Sequence, residues 1–171
     1  MAQPTKTFIT GTVGTGKSTL ARRISKELTI PCHHLDQVIY ILDPTTDTGN
    51  RKRTDAERDE MINDILAQPA WVAEDAGRAI FEPLWQQADI ILLLEPPIPI
   101  RNFRIFSRWV KQRLGLEKCG YSPGFWMLRN MYKWSANYDT GKDGLKERLA
   151  PYWGKVCVMR GGRDLERFLN S

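Results

Sequence analysis

The residues Gly11-Thr12-Val13-Gly14-Thr15-Gly16-Lys17-Ser18 have the spacing G-x-x-x-x-G-K-[ST], the phosphate-loop pattern. Each position has a chemical task. The glycines let backbone amides turn inward around phosphate oxygens. A helix beginning at the end of the loop presents its positive terminus to them. Lys17 neutralises charge on the β and γ phosphates, and the Ser18 hydroxyl is a Mg²⁺ ligand. Average residue usage gives this pattern by chance in about 1 in 200 chains of this length. The context sharpens it, because an apolar strand (Thr7 to Thr10) precedes it and an amphipathic helix follows. The residues from Gly11 to Thr19 are therefore expected to bind ATP or a related nucleoside triphosphate with Mg²⁺.

Carboxylates recur at strand ends. Asp36 follows the segment Pro31 to Leu35, and Glu74 and Asp75 follow Ala70 to Ala73. In an open α/β sheet the carboxyl ends of strands face the ligand crevice. Asp36 there can take a proton from an attacking hydroxyl or bind substrate hydroxyls; it can also simply cap a short helix, 37–42. Either Glu74 or Asp75 can hold a Mg²⁺ water. Glu95 terminates a further strand. After Pro97, Arg101, Arg104 and Arg108 fall within an arc of about 60° on a helix, at 100° per residue. Phe103, Phe106, Val110 and Leu114 lie opposite. The expectation is that the apolar face packs and the arginine face clamps a transferring phosphoryl group, or lies solvated. His33 and His34 are adjacent on a strand and point to opposite faces, so they read as packed or hydrogen-bonded rather than as a metal pair.

These groups need a scaffold. Ser18 to Leu28 reads as a helix with Leu20, Ile24 and Leu28 on one face. Residues 43–53 are polar and turn-rich and read as a loop. Thr54-Asp55-Ala56-Glu57 is a capping box opening a helix that stops before Pro69. Asp89 to Leu94 is continuously apolar at its end, as a strand covered on both faces must be. Helices follow over about Ile98 to Leu114 and near Phe125 to Tyr138. Lys155 to Met159 reads as a strand and Asp164 to Leu169 as a last helix. Strands alternating with helices predict an α/β fold of three layers with a five-stranded parallel sheet. The aromatics Phe125, Trp126, Tyr132, Trp134 and Tyr138, beside Arg129 and Lys133, can pack or can stack bases.

Composition fits one globular domain over 1–171. The chain has 42% hydrophobic and 26% charged residues and a formal charge of +5. That balance argues against disorder and is compatible with nucleic acid or phosphate-bearing small molecules. The longest apolar run, Ile90 to Leu94, is far too short for a membrane span. Cys32, Cys119 and Cys157 form no C-x-x-C pair, and the N-terminus has no signal-peptide pattern; both favour reduced thiols in a cytoplasm.

The set of segments resembles the adenylate-kinase-like P-loop proteins. It comprises Gly11 to Ser18, His34-Leu35-Asp36, Trp71 to Asp75, Ala88 to Pro97, and Val158-Met159-Arg160 to Leu169. More narrowly, it resembles the bacterial group called DNA topology modulation proteins. The resemblance implies strand order 2-3-1-4-5, a small helical lid over the phosphates (roughly 112–140), and an adenine site near Arg160 to Arg163. It implies acceptor-side chemistry at Asp36, and phosphate contacts from Arg104 and Arg108, with Arg101 beside them. Arg148 resembles an arginine from just beyond the lid, whereas Asn137 stands where a partner arginine is expected.

No N-K-x-D element suits the chain to GTPase chemistry, and the strand ending Leu94-Glu95-Pro96-Pro97 is not that of a helicase or motor. The leading expectation is an ATP-dependent phosphotransferase acting on a small molecule such as a nucleoside or nucleotide. The alternatives are a nucleic-acid-associated ATP-binding regulator, for which no recognised nucleic-acid motif is present, and simple ATP hydrolysis.

Overall fold

The computed structural model describes residues 4–117, 121, 123–161, 164, 166 and 168. The chain runs β1 (Lys6–Thr10), α1 (Lys17–Leu28), β2 (Cys32–His34), α2 (Asp36–Ile39), β3 (Tyr40–Leu42), β4 (Asn50–Lys52), α3 (Asp55–Leu66) and β5 (Trp71–Glu74). It continues through a 3₁₀ turn (Ala79–Phe81), α4 (Glu82–Gln87), β6 (Ile90–Leu94), α5 (Ile98–Arg113), α6 (Phe125–Asp139), α7 (Leu145–Leu149), a second 3₁₀ segment (Ala150–Lys155) and β7 (Val156–Met159). Asp164, Glu166 and Phe168 are helical; the other residues of the expected last helix lie outside the described residues, as does Cys119.

The main sheet has the order β2-β5-β1-β6-β7, and every pairing in it is parallel. With the small β3–β4 sheet set aside, this is the expected order 2-3-1-4-5. Alternation along the strands divides the core in two. Phe8, Trp71, Ala73, Ile91 and Leu93 face one layer, where they meet Leu35, Ile62, Ile65, Trp85 and Leu145. Ile9, Val72, Leu92, Leu94 and Met159 face the other, against Leu20, Ala21 and Ile24 of α1. Burying each large apolar side chain contributes about 1.5–3 kcal/mol, so this two-sided arrangement fixes the register of the strands that carry the site. No described helix is long and apolar enough to cross a membrane.

Two local readings need correction. The segment 43–53 is not wholly loop: Tyr40–Leu42 and Asn50–Lys52 form an antiparallel hairpin, in register Tyr40↔Lys52. Asp43 Oδ1 accepts from the Thr45 amide at 3.0 Å, the Thr46 hydroxyl donates to the Asn50 carbonyl at 2.9 Å, and Gly49 takes φ 77°. Those polar residues make the turn. β4 itself, Asn-Arg-Lys, has no apolar alternation to announce it. For the same reason the short helix does not reach residue 42; it ends at Ile39, and Asp36 is its first residue, with no side-chain cap. The capping box is present, with Thr54 accepting from the Glu57 amide and Glu57 from the Thr54 amide.

Candidate active site

β1 delivers the chain into the loop at Gly11. Gly11, Gly14 and Gly16 take φ of 141°, 77° and 96°. A Cβ at Gly11 would lie 2.7 Å from the Leu94 carbonyl oxygen, and one at Gly14 would lie 2.9 Å from the Arg101 carbonyl oxygen and from Ile105. Only glycine permits these close approaches, which hold the loop between β6 and α5. Thr12 and Thr15 are buried and Thr19 exposed; the Thr15 hydroxyl closes the turn on the Thr12 carbonyl at 2.9 Å. Val13 packs against the Ile105–Met127–Met131 cluster. Lys17 Nζ donates to the same Thr12 carbonyl at 2.9 Å, so the ammonium lies back over the loop. Burial lowers its pKa, and Arg108 adds to that, while Glu74, Asp75 and Asp36 pull it back up. The widely separated sequence positions 36, 74, 75 and 108 thus converge electrostatically on Lys17.

Glu74 ends β5, where it is 7% exposed. Its Oε1 accepts from the Ser18 hydroxyl at 2.8 Å and lies 2.8 Å from His34 Nδ1. Burial pushes the Glu74 carboxyl up, but His34, Lys17 and Ser18 outweigh it and leave the pKa below the usual value. Asp75 is differently placed. Its Oδ2 accepts from the amides of Gly77 and Arg78 at 2.6 Å each, and its Oδ1 from Arg78 Nη1 at 2.5 Å. Both oxygens are committed to turning the chain after β5. The second Arg78 amine donates to Asp36 Oδ1 at 2.7 Å. Asp36 is otherwise open, with its side chain 73% exposed. His33 faces the other way and meets Gln68 Oε1 at 3.0 Å, so the two histidines diverge as expected.

The loop suits a triphosphate with Mg²⁺. The glycines leave a cradle that a Cβ would fill, and Ser18 and Glu74 bring a hydroxyl and a carboxylate together. Among the described residues no His, Cys, Asp and Glu cluster of three forms a cage. Mg²⁺ bound with substrate phosphates keeps most of its waters and takes only one or two carboxylates, so the donor set is adequate.

The faces of α5 follow the expectation only in part: Arg104 and Arg108 are exposed, but the buried stripe is Arg101, Ile105 and Gln112 rather than the phenylalanines. Phe103, Phe106 and Leu114 are exposed at 72%, 50% and 67%, while Arg101 is 2% exposed. The cause is the glycine loop: α5 lies on it, and the side facing the loop is the one with Arg101 and Ile105. Arg104 Nη1 donates to the Thr15 carbonyl at 2.9 Å. Arg108 is half exposed and pairs with Glu117 at 3.2 Å. Arg101 turns instead to Asp139 on α6, at 2.5 Å, and does not present its guanidinium to solvent. Thr12 donates to the Trp134 carbonyl at 3.3 Å, so α6 also leans on the loop. Arg148 donates to the Gly77 carbonyl at 3.0 and 3.3 Å and to the Asp143 carbonyl at 2.9 Å. Glu95 does more than end β6: it accepts from Tyr138, and Lys146 lies at 2.6 Å. Among the aromatics of α6, Tyr138 is buried, while Phe125, Trp126 and Trp134 stay exposed. Arg163 lies outside the described residues.

Arg78 is the residue that sequence reading passed over. Its signal was present: an acid followed by a glycine and then an arginine, Asp75-Ala76-Gly77-Arg78, is a turn that brings the arginine back over the acid. Gly77 there has φ 94°.

No family model matches the chain, and no curated protein matches it by sequence. Solved structures match its fold. An unliganded sugar kinase from Janibacter sp. aligns over 96% of this chain and 91% of its own, at 16% identity and a TM-score of 0.56. Shikimate kinase from Acinetobacter baumannii, in complex with shikimate, aligns over 99% and 90%, at 18% identity and a TM-score of 0.54. Shikimate kinase from Bacteroides thetaiotaomicron aligns over 98% and 95%, at 14% identity and a TM-score of 0.54. The chain has the three-layer α/β P-loop fold of these proteins.

Proposed function

We propose that the chain is an ATP- and Mg²⁺-dependent phosphotransferase acting on a hydroxyl of a small molecule. The carrying observation is the glycine loop with Lys17 folded back over it and the Ser18 hydroxyl on Glu74 at 2.8 Å, with Asp36 tied to the turn after Glu74 and Asp75 through Arg78 at 2.7 Å. Of these acids Asp36 is exposed beside the loop, the placement a base for an incoming hydroxyl requires. The sugar and shikimate kinases that share the fold support the same reading.

Bound MgATP supplies the γ-phosphoryl group and the cation that offsets its charge. The chain's own residues do the rest. Amides of Gly11 to Thr15 cradle phosphate oxygens, with the start of α1 behind them. Lys17 exchanges the Thr12 carbonyl for phosphate. Ser18 and Glu74 would hold the metal, with His34 orienting Glu74; Asp75 shapes the turn that carries Arg78. Asp36 takes the acceptor's proton. Arg104 and Arg108 offset charge that develops during transfer. Helix α6, anchored through Arg101–Asp139 and leaning on the loop through Thr12, is the part of the expected lid that would lie beside the phosphates, and Arg148 secures the Gly77 turn.

The test is a panel of hydroxyl-bearing acceptors assayed by coupled ADP release with ATP and Mg²⁺. Acceptor-dependent release that Lys17→Ala abolishes is the expected result. ADP release independent of every acceptor would replace the kinase reading with plain hydrolysis.

A further inference from the structure

A cavity of about 290 Å³ opens between the β3–β4 hairpin, the start of α3 and the Arg78 turn. This is near the small end of ligand pockets, about 300–1,000 Å³. Its charged lining is one-sided: Lys52, Arg53, Arg58 and Arg78 against the single acid Asp55. Tyr40 and Ile80 give it an apolar wall.

The four cations are not equivalent. Arg58 is satisfied on its own helix, by Asp55 at 2.5 Å and Asp59 at 2.8 Å. Arg78 is satisfied between Asp36 and Asp75. Lys52 and Arg53 have no carboxylate within ion-pair distance among the described residues. Arg53 Nε donates to the Gln37 carbonyl at 3.2 Å, and its amide to the Ile39 carbonyl at 2.8 Å. Those contacts tether the stem of the side chain and leave its terminal amines without an acid. The hairpin thus holds two cations over a small cavity with no ion-pair partner among the described residues, Glu57 acting on Arg53 only at longer range. Arg78, which also lines that cavity, is in turn bonded to Asp36. A neutral acceptor filling that space would desolvate both charges without replacing their partners, which is costly.

We infer that the acceptor is an anion: a small hydroxyl compound whose phosphate or carboxylate group is received by Lys52 and Arg53, with its hydroxyl directed to Asp36. This rests on the phosphotransferase reading for the hydroxyl end and on the cavity's charge for the anionic end. In the transfer, the acceptor oxygen forms a bond to the γ phosphorus and the bond from that phosphorus to the β–γ bridging oxygen breaks. The acceptor proton goes to Asp36, and ADP leaves. The acid group of the acceptor takes no part in bond making; it sets position.

Matched pairs of compounds test this: a nucleoside 5′-monophosphate against its nucleoside, a sugar phosphate against its sugar, and a hydroxy acid against its amide. Calorimetry on the full chain reads binding, and coupled ADP release reads turnover. At least one charged member should bind, and its neutral partner should bind far more weakly. Whether the phosphates or the hydroxy acids respond identifies the source of the charge. In Arg53→Gln and in Lys52→Gln, the affinity for the charged compound should fall about tenfold to a hundredfold each, as for loss of a hydrogen bond to a charged group. KM for MgATP should stay unchanged. The exposed Lys52 side chain makes no hydrogen bond or ion pair among the described residues, so Lys52→Gln remains informative if Arg53→Gln folds poorly. Binding of no anionic member, equal binding of the neutral members, or unchanged affinity in both variants overturns the inference. Anion binding without any turnover leaves the anion site in place and sinks the phosphotransferase reading instead.

Discussion

Arg78 donates to Asp36 Oδ1 at 2.7 Å, tying an exposed carboxylate at the end of β2 to the turn that follows β5. The bond orients Asp36 and also occupies one of its oxygens, leaving the other for an incoming hydroxyl. Asp36→Asn keeps the shape and loses the base. It should lower kcat about 10²–10⁴-fold while ATP affinity stays near that of the wild type. Steady-state rates with the acceptor and calorimetry with ATP check the two halves. Near-normal kcat would reduce Asp36 to a partner of Arg78.

Lys17→Ala removes the only loop side chain that can reach phosphate as a cation. ATP affinity in the presence of Mg²⁺ should drop at least about tenfold, the equivalent of 1.4 kcal/mol. Equal calorimetric affinities for the two proteins would end the assignment of the loop as the nucleotide site.

Arg108 contributes to the field at Lys17 and, among the described residues, is held by Glu117 alone, in a half-exposed pair. Surface pairs of this kind contribute little to stability. Arg108→Ala should therefore leave the melting temperature almost unchanged and lower kcat, with no change in affinity for duplex DNA. Unchanged turnover together with a reduced salt slope for DNA binding would assign the arginine to a nucleic-acid surface instead.

Gly77→Ala probes the scaffold under the site. Its Cβ would meet Leu145 Cδ1 at 2.2 Å and Thr10 Oγ1 at 3.1 Å, at a backbone φ of 94°. A loss of about 2 kcal/mol or more is expected, read as a lower urea midpoint at constant slope. Leu145→Ala should relieve the steric part, so the pair should show a favourable coupling. Strict additivity would mean that the backbone conformation alone is responsible.

Asp89 governs the pH dependence at the opposite, amino-terminal end of the central strands β1 and β6. Its Oδ2 accepts from the amides of Thr5 and Lys6 at 2.9 and 2.8 Å and from the Thr5 hydroxyl at 3.1 Å. Burial raises its pKa, but these bonds and the Lys6 charge outweigh it and hold the carboxyl below its ordinary 3.8. A carboxyl lowered on folding stabilises above its unfolded value, and that stability is lost as pH falls through the folded one. Asp89→Asn should cost about 1 kcal/mol at neutral pH, and the cost should shrink below about pH 4. Urea titrations of both proteins across that range measure it. A cost independent of pH would show that the charge of Asp89 contributes nothing and that the loss is one of hydrogen-bond geometry alone.

The sequence made the loop legible because its chemistry demands particular residues at particular spacings. The strand-end position of Glu74 and Asp75 was legible because β5 is continuously apolar up to its acid, whereas Asp36 follows the half-buried Cys32-His33-His34 and was placed by the alternation of elements alone. The orientation of α5 was not legible. A helical arc divides residues into two faces, but which face turns inward depends on what it meets. Here the partner is a glycine loop whose carbonyls, such as that of Thr15, accept from Arg104. Phe103 and Phe106 were left outside for that reason, against the usual rule. The hairpin was hidden because Asn50-Arg51-Lys52 pairs through backbone groups and carries no hydrophobic pattern.

The strand order has a consequence for how the chain acquires its fold. β1 is translated before either of its neighbours, yet Lys6 pairs with Trp71 and Thr7 with Ile90. Among the described residues, the paired strands that are consecutive in the chain are β3 with β4, through a tight turn, and β6 with β7, across the helices α5 to α7. Every closure of the main sheet is long-range, a topology that folds slowly. A nascent chain ending before Ile90 therefore carries Phe8 and Ile9 without the strand that pairs with them on one side. During synthesis the phosphate loop hangs from an incompletely paired strand. Chaperone dependence and aggregation during expression should track the emergence of β6, and truncations ending between β5 and β6 should be the most aggregation-prone of any series.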